Sequence, residues 1–367
     1  MTATSTKALL GPGTPATTII RLGLGVVVVL TSLVADADVA KFPVAIDMMI
    51  PLAAAERWLA GGVAYLPTGF TDREILPPFL YPPFVLPLLA PLTSLPLDLV
   101  RYASALIALG VAVLAMRRLA IGWVLVPFVL LWEPMFLGVW EANIQVILFA
   151  AFVATFWIAP RRHDLEPQPR PIDERGSVTP LVGWYAATVA SVKATQIQAW
   201  LAILRRGPRA AVIGALPWAA LALVTLPLVG TALYVDWLGQ VARASDPAWW
   251  AMGPSLLKFL PSGVVAALTL ATFAAALVIR GRDTGIWIGL MMLVVAPNMH
   301  DYQALFLLPA MLRIRREFAL MAAFLTATAT VQGWWLSIAI VAVTMLLGRR
   351  WPVLYEPGGG VVSAAAL

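Results

Sequence analysis

Two stretches decide the fold class of this chain: "IIRLGLGVVVVLTSLVA" at residues 19–35 and "VVAALTLATFAAALVI" at residues 264–279. Each approaches the roughly 20 apolar residues that a helix needs to cross a bilayer. Similar runs recur along the 367 residues, of which 61% are hydrophobic and 12% charged, and the mean hydropathy is +0.86. Soluble domains carry about twice that share of charge, and a β-barrel would show alternating segments of about 10 residues. We therefore predict an all-α polytopic membrane protein.

The Lys and Arg residues fall in tight clusters between the apolar runs. Because cytoplasmic loops are enriched in these residues, we assign the clusters to the cytoplasm. The formal net charge of +6 is then explained by basic residues that lie at the anionic inner leaflet of the membrane. We therefore expect no nucleic-acid binding. The cytoplasmic clusters are Lys7 and Arg21; Arg117 and Arg118; Arg161, Arg162, Arg170 and Arg175; Arg205, Arg206 and Arg209; Arg280 and Arg282; Arg313, Arg315 and Arg316; Arg349 and Arg350.

Between successive clusters the apolar segments pair, outward and back, which predicts about twelve transmembrane helices with both termini cytoplasmic. We predict a single integral membrane domain over residues 1–367, with a cytoplasmic loop at 161–177 and a cytoplasmic tail at 349–367. The first span could be a cleaved signal peptide, because "ADA" at 35–37 resembles a cleavage site, but we interpret it as an uncleaved anchor. The predicted spans are 17–35, 100–116, 120–140, 142–160, 178–192, 194–204, 210–233, 259–279, 284–297, 302–312, 318–333 and 334–348.

The outer loop at 36–98 is unusual because it is apolar and rich in proline, as in "FLYPPFVLPLLAPLTSLPL" at 79–97. Proline disfavours a regular spanning helix, so we predict interfacial or re-entrant helices here. Asp47 begins the amphipathic stretch "DMMIPLAAAERWLAGG" of this loop. Ionisable groups at membrane depth are expensive and usually functional. The alternative is a solvated loop acid, which is what we expect for Asp36 and Asp38.

Three further outer turns carry candidate residues. Lys193 in "SVKATQIQ" either extends to the interface or binds an anion, and His300 in "APNMHDYQ" shares its turn with Asp301 and Tyr302. In "WEANIQ" at 140–145, hydrogen-bonding side chains suit a hydroxyl-rich ligand. The alternative is a capped turn, because an acid before a helix start interacts favourably with the helix dipole. The side chains of this turn are Glu141, Asn143 and Gln145.

Other chemistry has little support in the sequence. Cysteine is absent, and we find no Walker loop, HExxH, GxSxG or strand-supported GxGxxG motif. Lys258 lies in the aromatic stretch "WWAMGPSLLKFLP" at 249–261, which is typical of an interfacial belt. An outer cavity with one favoured carboxylate and several cations suits a lipid-linked anion that reacts outside the membrane.

The order of these segments resembles glycosyltransferase family 87, enzymes of the superfamily C membrane fold that use polyprenyl-phosphate sugars. The likeness covers about residues 40 to 315. It is carried by "IDMMIPLAAAERWLAGGVAYLP", "YPPFVLPLLAPLTSLP", "ANIQVILF", "VKATQIQAWLAILRRG", "GPSLLKFLP" and "APNMHDYQALFLLPAML". The chain departs from the family pattern at Ala142–Gln145, where two amides are exchanged, at Gln196 in place of proline, at Gln303 in place of aspartate, and at Gly253–Ser255.

The resemblance implies inverting transfer of a sugar from a polyprenyl-phosphate donor to a hydroxyl of a glycolipid or cell-envelope glycan, on the outer face of the plasma membrane. Mannose is favoured over arabinofuranose. Asp47 matches the catalytic base. Residues expected at the donor phosphate are Lys193, His300, Tyr302, Arg73 and Lys258, and those expected at the acceptor or sugar are Glu141, Asn143, Gln145 and Tyr81. We expect no cofactor, with Mg²⁺ on Asp36, Asp38 and Asp47 as the alternative.

Two other function classes fit parts of the pattern. A lipid or glycolipid transporter or flippase would also have broken helices and charged cavities. However, its halves usually show paired repeats, and the polar groups of this chain cluster on one side. A non-catalytic scaffold subunit would carry the outer acids only as loop charges.

Overall fold

The computed structural model describes residues 15–66, 79–160, 167–174, 176–193, 196–244, 255–296, 300–328, 330–351 and 354–355. Besides α-helices, the described elements are three 3-10 helices and one pair of two-residue strands. The 3-10 helices are Ala90–Ser94, Leu256–Lys258 and Asp301–Leu307, and the strands are β1 Trp157–Ile158 and β2 Gln168–Pro169. The α-helices are α1 Pro15–Val39, α2 Ile46–Leu59, α3 Val85–Leu89, α4 Leu97–Arg118, α5 Val126–Leu130, α6 Glu133–Trp140, α7 Ile144–Phe156, α8 Pro180–Val192, α9 Gln198–Arg206, α10 Pro208–Ala244, α11 Ser262–Val278, α12 Thr284–Val294, α13 Leu308–Met311, α14 Arg316–Ala327 and α15 Val331–Gly348.

The described chain is an all-α membrane protein, as predicted. Four helices, α1, α4, α10 and α15, are long and apolar enough to cross a bilayer, and α6 with α7, bent by 117°, would form a fifth span. Helical structure lies within each of the twelve predicted segments, but most of these helices are too short to cross alone. Twelve crossings and the superfamily C fold therefore stay predictions. Several helix ends differ from the predicted spans: α1 continues to Val39, and α10 continues to Ala244.

The predicted interfacial segment is a small layer of short helices. Helix α2 packs on α3, on Ala90–Ser94 and on α4, around an apolar cluster that includes Ala54, Tyr65 and Phe79. Gly61, at φ 73°, turns the chain after α2 in a conformation that glycine adopts without strain. The far end of α10 holds the layer, because Trp237 Nε1 donates to the Leu80 carbonyl at 3.0 Å.

The residues assigned to the cytoplasmic clusters contact one another at one end of the molecule, which we call the basic end. Arg206 Nε donates to Asp173 Oδ1 at 2.7 Å, and the Gly281 N–H donates to Asp173 Oδ2 at 2.9 Å. Arg118 Nε donates to the Trp157 carbonyl at 2.8 Å. Arg21 pairs with Glu317 at 2.9 Å. Asp173 thus ties the described part of the 161–177 loop to the end of α9 and to the turn that follows α11.

Helices α7, α8 and α9 run between the basic end and a second, opposite end. Helix α7 has 13 residues and is therefore about 20 Å long. It finishes at Phe156, whose carbonyl accepts from the Arg170 N–H at 2.7 Å, and it starts beside Glu141. Helix α8 runs from Pro180 to Val192, and α9 returns to Arg206. The outer turns predicted from sequence therefore meet about 20 Å from the basic end.

The first turns of α8 pack closely against α10. A Cβ on Gly214 would collide with backbone atoms of Gly183 and Trp184 and would lie 2.6 Å from the Pro180 carbonyl oxygen. Small residues of this kind let helix backbones touch in membranes, where packing contributes much of the driving force for association.

We predict that Gly214→Ala lowers the thermal stability of the detergent-purified protein. Overpacking at a tight contact typically costs about 1–3 kcal/mol. Gly239→Ala is the matched control on the same helix, because a Cβ there meets nothing within 4 Å. Thermal unfolding followed by tryptophan fluorescence tests this, and equal melting temperatures for the two variants would contradict the packing described.

Candidate functional site

The first site residue, Asp47, is held against the α6–α7 bend by two backbone hydrogen bonds. The Ala45 N–H donates to the Trp140 carbonyl at 2.7 Å, and the Asp47 N–H donates to the Glu141 carbonyl at 3.2 Å. Ala45 and Ala142, one on each side of this contact, both have left-handed backbones, with φ of 56° and 52°. This conformation costs an L-residue roughly 1–2 kcal/mol. The turns that bring Asp47 beside Glu141 are therefore strained.

Asn143 connects Asp47 to the start of α7. Its Oδ1 accepts from the Gln145 N–H at 2.7 Å, which is the usual helix N-cap bond. Its Nδ2 donates to Asp47 Oδ2. Both polar atoms of this side chain, which is 4% exposed, are thus engaged within the protein. These contacts orient the Asp47 carboxylate, and the predicted role of Asn143 at the acceptor or sugar stays a prediction.

Lys193 enters the same cluster from the end of α8. Its Nζ donates to Gln145 Oε1 at 2.7 Å and lies 5.7 Å from the centroid of the Tyr302 ring, which is a cation–π distance. Gln145 Nε2 is buried and has no hydrogen-bond partner among the described residues, so it can donate to a ligand. Burial lowers the pKa of Lys193 to about 8, and the negative charge of Asp47 offsets part of that effect. Lys193 thus supplies a half-buried cation near neutral pH.

His300 and Tyr302 form an aromatic wall beside Lys193. Their rings stack with centroids 5.1 Å apart and planes inclined by 18°. Burial, and then the positive charge of Lys193, lower the pKa of His300 to about 4. The imidazole is therefore neutral at pH 7. It can hold a phosphate through an N–H hydrogen bond but not as a second cation.

Opposing electrostatic effects act on the Asp47 carboxyl, and together they leave its pKa above the ordinary value. Burial raises the pKa of its carboxyl, whereas hydrogen bonds from Asn143 and Glu141 and the charge of Lys193 lower it. Tyr81 also interacts electrostatically with Asp47, and its ring packs on Phe79 at 5.6 Å. An ideal catalytic base has a pKa close to the operating pH, which such opposing effects can provide.

Most of the predicted site residues converge on this one cluster, which we call the Asp47 cluster. Lys258, in Leu256–Lys258, has an exposed side chain, and Arg73 lies outside the described residues. The contacts bring the predicted residues together but do not test the roles assigned to them. The members of the Asp47 cluster are Asp47, Tyr81, Glu141, Asn143, Gln145, Lys193, His300 and Tyr302.

Two acids near the cluster differ from the sequence interpretation. Asp36 was expected to be solvated, but it is buried on α1, and neither carboxylate oxygen has a hydrogen-bond partner within the described ranges. Glu133, which the sequence analysis did not single out, is 2% exposed and interacts electrostatically with Glu141. An acid placed directly before proline in the apolar stretch "LWEPMF" was the signal that could have identified it.

The Mg²⁺ alternative does not fit the described residues. Among them, no group of three or more His, Asp or Glu side chains converges to hold a metal ion. Asp38 instead forms an exposed ion pair with Lys41. The aspartates at 36, 38 and 47 therefore do not share a metal site.

We predict that Ala142→Val lowers the melting temperature by about 2 °C or more, because a β-branched side chain raises the cost of the left-handed backbone. Ala142→Gly is expected to melt at or above the wild-type temperature. Ala60→Val, at an exposed residue with φ of −76°, is the control and should change little. Equal melting temperatures for Ala142→Val and Ala60→Val would contradict the strained turn.

No family model, no curated protein and no solved structure matches this chain.

Proposed function

We propose that this protein is an inverting membrane glycosyltransferase. It moves a sugar, with mannose favoured, from a polyprenyl-phosphate donor to a hydroxyl of a glycolipid or cell-envelope glycan on the outer face of the plasma membrane. The observation that carries the proposal is the joining of a half-buried carboxylate and a half-buried ammonium, Asp47 and Lys193, through Asn143 and Gln145. The amides support both groups at fixed positions.

Each group has a defined part in the reaction. Asp47 takes the proton of the acceptor hydroxyl while that oxygen forms a bond to the anomeric carbon. The bond from this carbon to the phosphate oxygen breaks, its electron pair stays with the polyprenyl phosphate, and the configuration inverts. Lys193 faces the phosphate oxygens, and Gln145 Nε2 and the neutral His300 are available to donate hydrogen bonds to them.

The charges explain why such a site would accelerate transfer. The donor is a phosphodiester with one negative charge, and the departing monoester carries more. A fixed cation therefore stabilises the transition state more than the ground state. One positioned base typically contributes about 10²–10⁴-fold. Burial of Lys193 strengthens its effect, because little water screens it.

We predict that Asp47→Asn abolishes transfer from a polyprenyl-phosphate sugar by the purified protein, with a rate loss of about 10²-fold or more. Asparagine keeps the size of the side chain but cannot accept the proton. Binding of the donor and the melting temperature should change much less than the rate. Wild-type activity should also fall as the pH is lowered, because protonation of Asp47 removes the base.

The controls separate this function from its alternatives. Glu56→Gln, at an exposed residue of the same helix, should leave transfer unchanged. Transfer by Asp47→Asn at the wild-type rate would contradict the proposal. Movement of the donor lipid across vesicles without cleavage of the sugar–phosphate bond would identify a flippase, and donor binding without turnover would identify a scaffold subunit.

The proposal requires the Asp47 cluster to face outward and the basic end to face the cytoplasm. Because the chain has no cysteine, single cysteines can report on each end. We predict that Glu56→Cys reacts with a membrane-impermeant maleimide in intact cells, whereas Arg280→Cys reacts only after permeabilisation. Both positions are exposed. The reverse pattern would place the site in the cytoplasm and contradict the proposal.

A further inference from the structure

A small pocket lies at the basic end, about 20 Å along α7 from the Asp47 cluster. Strands β1 and β2, the turn before α12 and the turn after α13 form its walls. The centres of water-sized groups have about 30 Å³ of free volume in it, and a single bound water needs about 10–15 Å³. The pocket therefore admits a compact group of a few heavy atoms and not a whole nucleotide. Its walls include Trp157, Pro169, Arg282, Asp283, Leu312 and Arg313.

Two neighbours position the guanidinium of Arg313 in this pocket. Its central carbon lies 4.9 Å from the centroid of the Tyr355 ring, and the Tyr355 hydroxyl donates to the Met345 carbonyl at 2.8 Å, which anchors the ring on α15. Arg313 Nε lies 3.7 Å from Asp283 Oδ1, which is an ion pair but too long for a hydrogen bond. Within the described residues this buried Nε has no hydrogen-bond partner. A guanidinium has five N–H donors, so Arg313 is held in place with donors left for a ligand.

Arg282 is the second cation of the pocket, and its side chain is exposed at the start of α12. The arginines beside the same strand pair have other partners. Arg118 Nε donates to the Trp157 carbonyl at 2.8 Å, and Arg170 Nε donates to the Thr155 carbonyl at 3.0 Å. Those two side chains hold the backbone together, whereas Arg282 and Arg313 face free space.

The charge of the pocket favours an anion with a single negative charge. Its walls carry two guanidinium groups and one carboxylate, which leaves one net positive charge. Helix α12 has 11 residues and begins at Thr284 beside the pocket, so the positive end of its dipole also favours an anion. The carboxylate of Asp283 repels a second negative charge.

The shape of the pocket favours a phosphate group with apolar atoms attached to it. A Cβ on Gly285 would lie 2.9 Å from Trp157 Cη2, so the indole ring packs on the first turn of α12 and forms a flat apolar wall. The planar fork of arginine matches the oxygens of a phosphate in a two-point contact. Basic pockets between helices on the cytoplasmic side of a membrane bind the headgroups of anionic lipids.

We propose that this pocket binds a phosphate group, and that Arg282 and Arg313 hold its oxygens by hydrogen bonds from their guanidinium groups. The headgroup of an anionic phospholipid and a free phosphate ion share this chemistry. Asp283 keeps Arg313 in position and limits the charge that the pocket accepts. The proposal is independent of the transferase function, because the pocket and the Asp47 cluster have no residue in common.

The test titrates the detergent-purified full chain with short-chain phosphatidylglycerol and follows thermal unfolding by tryptophan fluorescence. Ionic strength is held constant, because salt screens exposed charges. We expect the melting temperature of the wild type to rise with the lipid concentration. Arg282→Gln, at an exposed residue, should weaken binding about fivefold or more, and Arg313→Gln about tenfold or more, because hydrogen bonds to charged groups are strong. Arg209→Gln, which removes the same charge from an exposed residue outside the pocket, should bind as the wild type does. Equal binding by all three variants would overturn the proposal.

Two further ligands in the same assay distinguish the sources of the phosphate. Stabilisation by phosphatidylglycerol and not by inorganic phosphate identifies a lipid headgroup, and stabilisation by inorganic phosphate alone identifies a free ion. No stabilisation by either, or equal stabilisation by zwitterionic phosphatidylcholine, would overturn the proposal. Asp47→Asn should bind phosphatidylglycerol as the wild type does, so this proposal and the transferase function fail separately.

Discussion

The site depends on how the half-buried charge of Asp47 is compensated. An unpaired carboxylate away from water is costly, and the chain compensates it with the Asn143 amide and the ammonium of Lys193. These partners come from two separate turns of the chain. The strained alanines before Asp47 and after Glu141 lie in the turns that bring Asp47 beside Asn143.

The basic end and the Asp47 cluster lie at opposite ends of the molecule. Arginines and their acidic partners gather at the basic end, where they join the ends of several helices. The other end holds the polar side chains of the Asp47 cluster. Helices of 13 residues link the two ends. Such helices are too short to cross a bilayer alone, so they end within protein, where their free backbone groups and capping side chains can surround a ligand.

Much of this arrangement could be predicted from the sequence. The clustering of Arg residues between apolar runs anticipated one basic end, and isolated polar residues at the intervening turns anticipated a cluster that includes Asp47, Lys193 and His300. These signals are local and follow from the high cost of polar groups in an apolar setting. The number of membrane crossings was harder to predict, because apolar composition does not distinguish a spanning helix from a short helix buried in protein.

The roles of individual polar residues could not be predicted, because they depend on partners distant in sequence. Asn143 and Gln145 looked suited to a hydroxyl-rich ligand, but Asn143 turns to Asp47, 96 residues away, and Gln145 to Lys193, 48 residues away. Asp36 looked like a loop acid because the end of α1 was placed four residues too early. Its burial depends on the way that α1 packs against α14 and α6.

A structure of the protein with a polyprenyl-phosphate sugar bound tests the central claim most directly. The account predicts density for the phosphate within about 3 Å of Lys193 Nζ, with the anomeric carbon of the sugar beside the Asp47 carboxylate and the lipid tail leaving toward the membrane. Donor bound at the basic end, or with its phosphate away from Lys193, would contradict it.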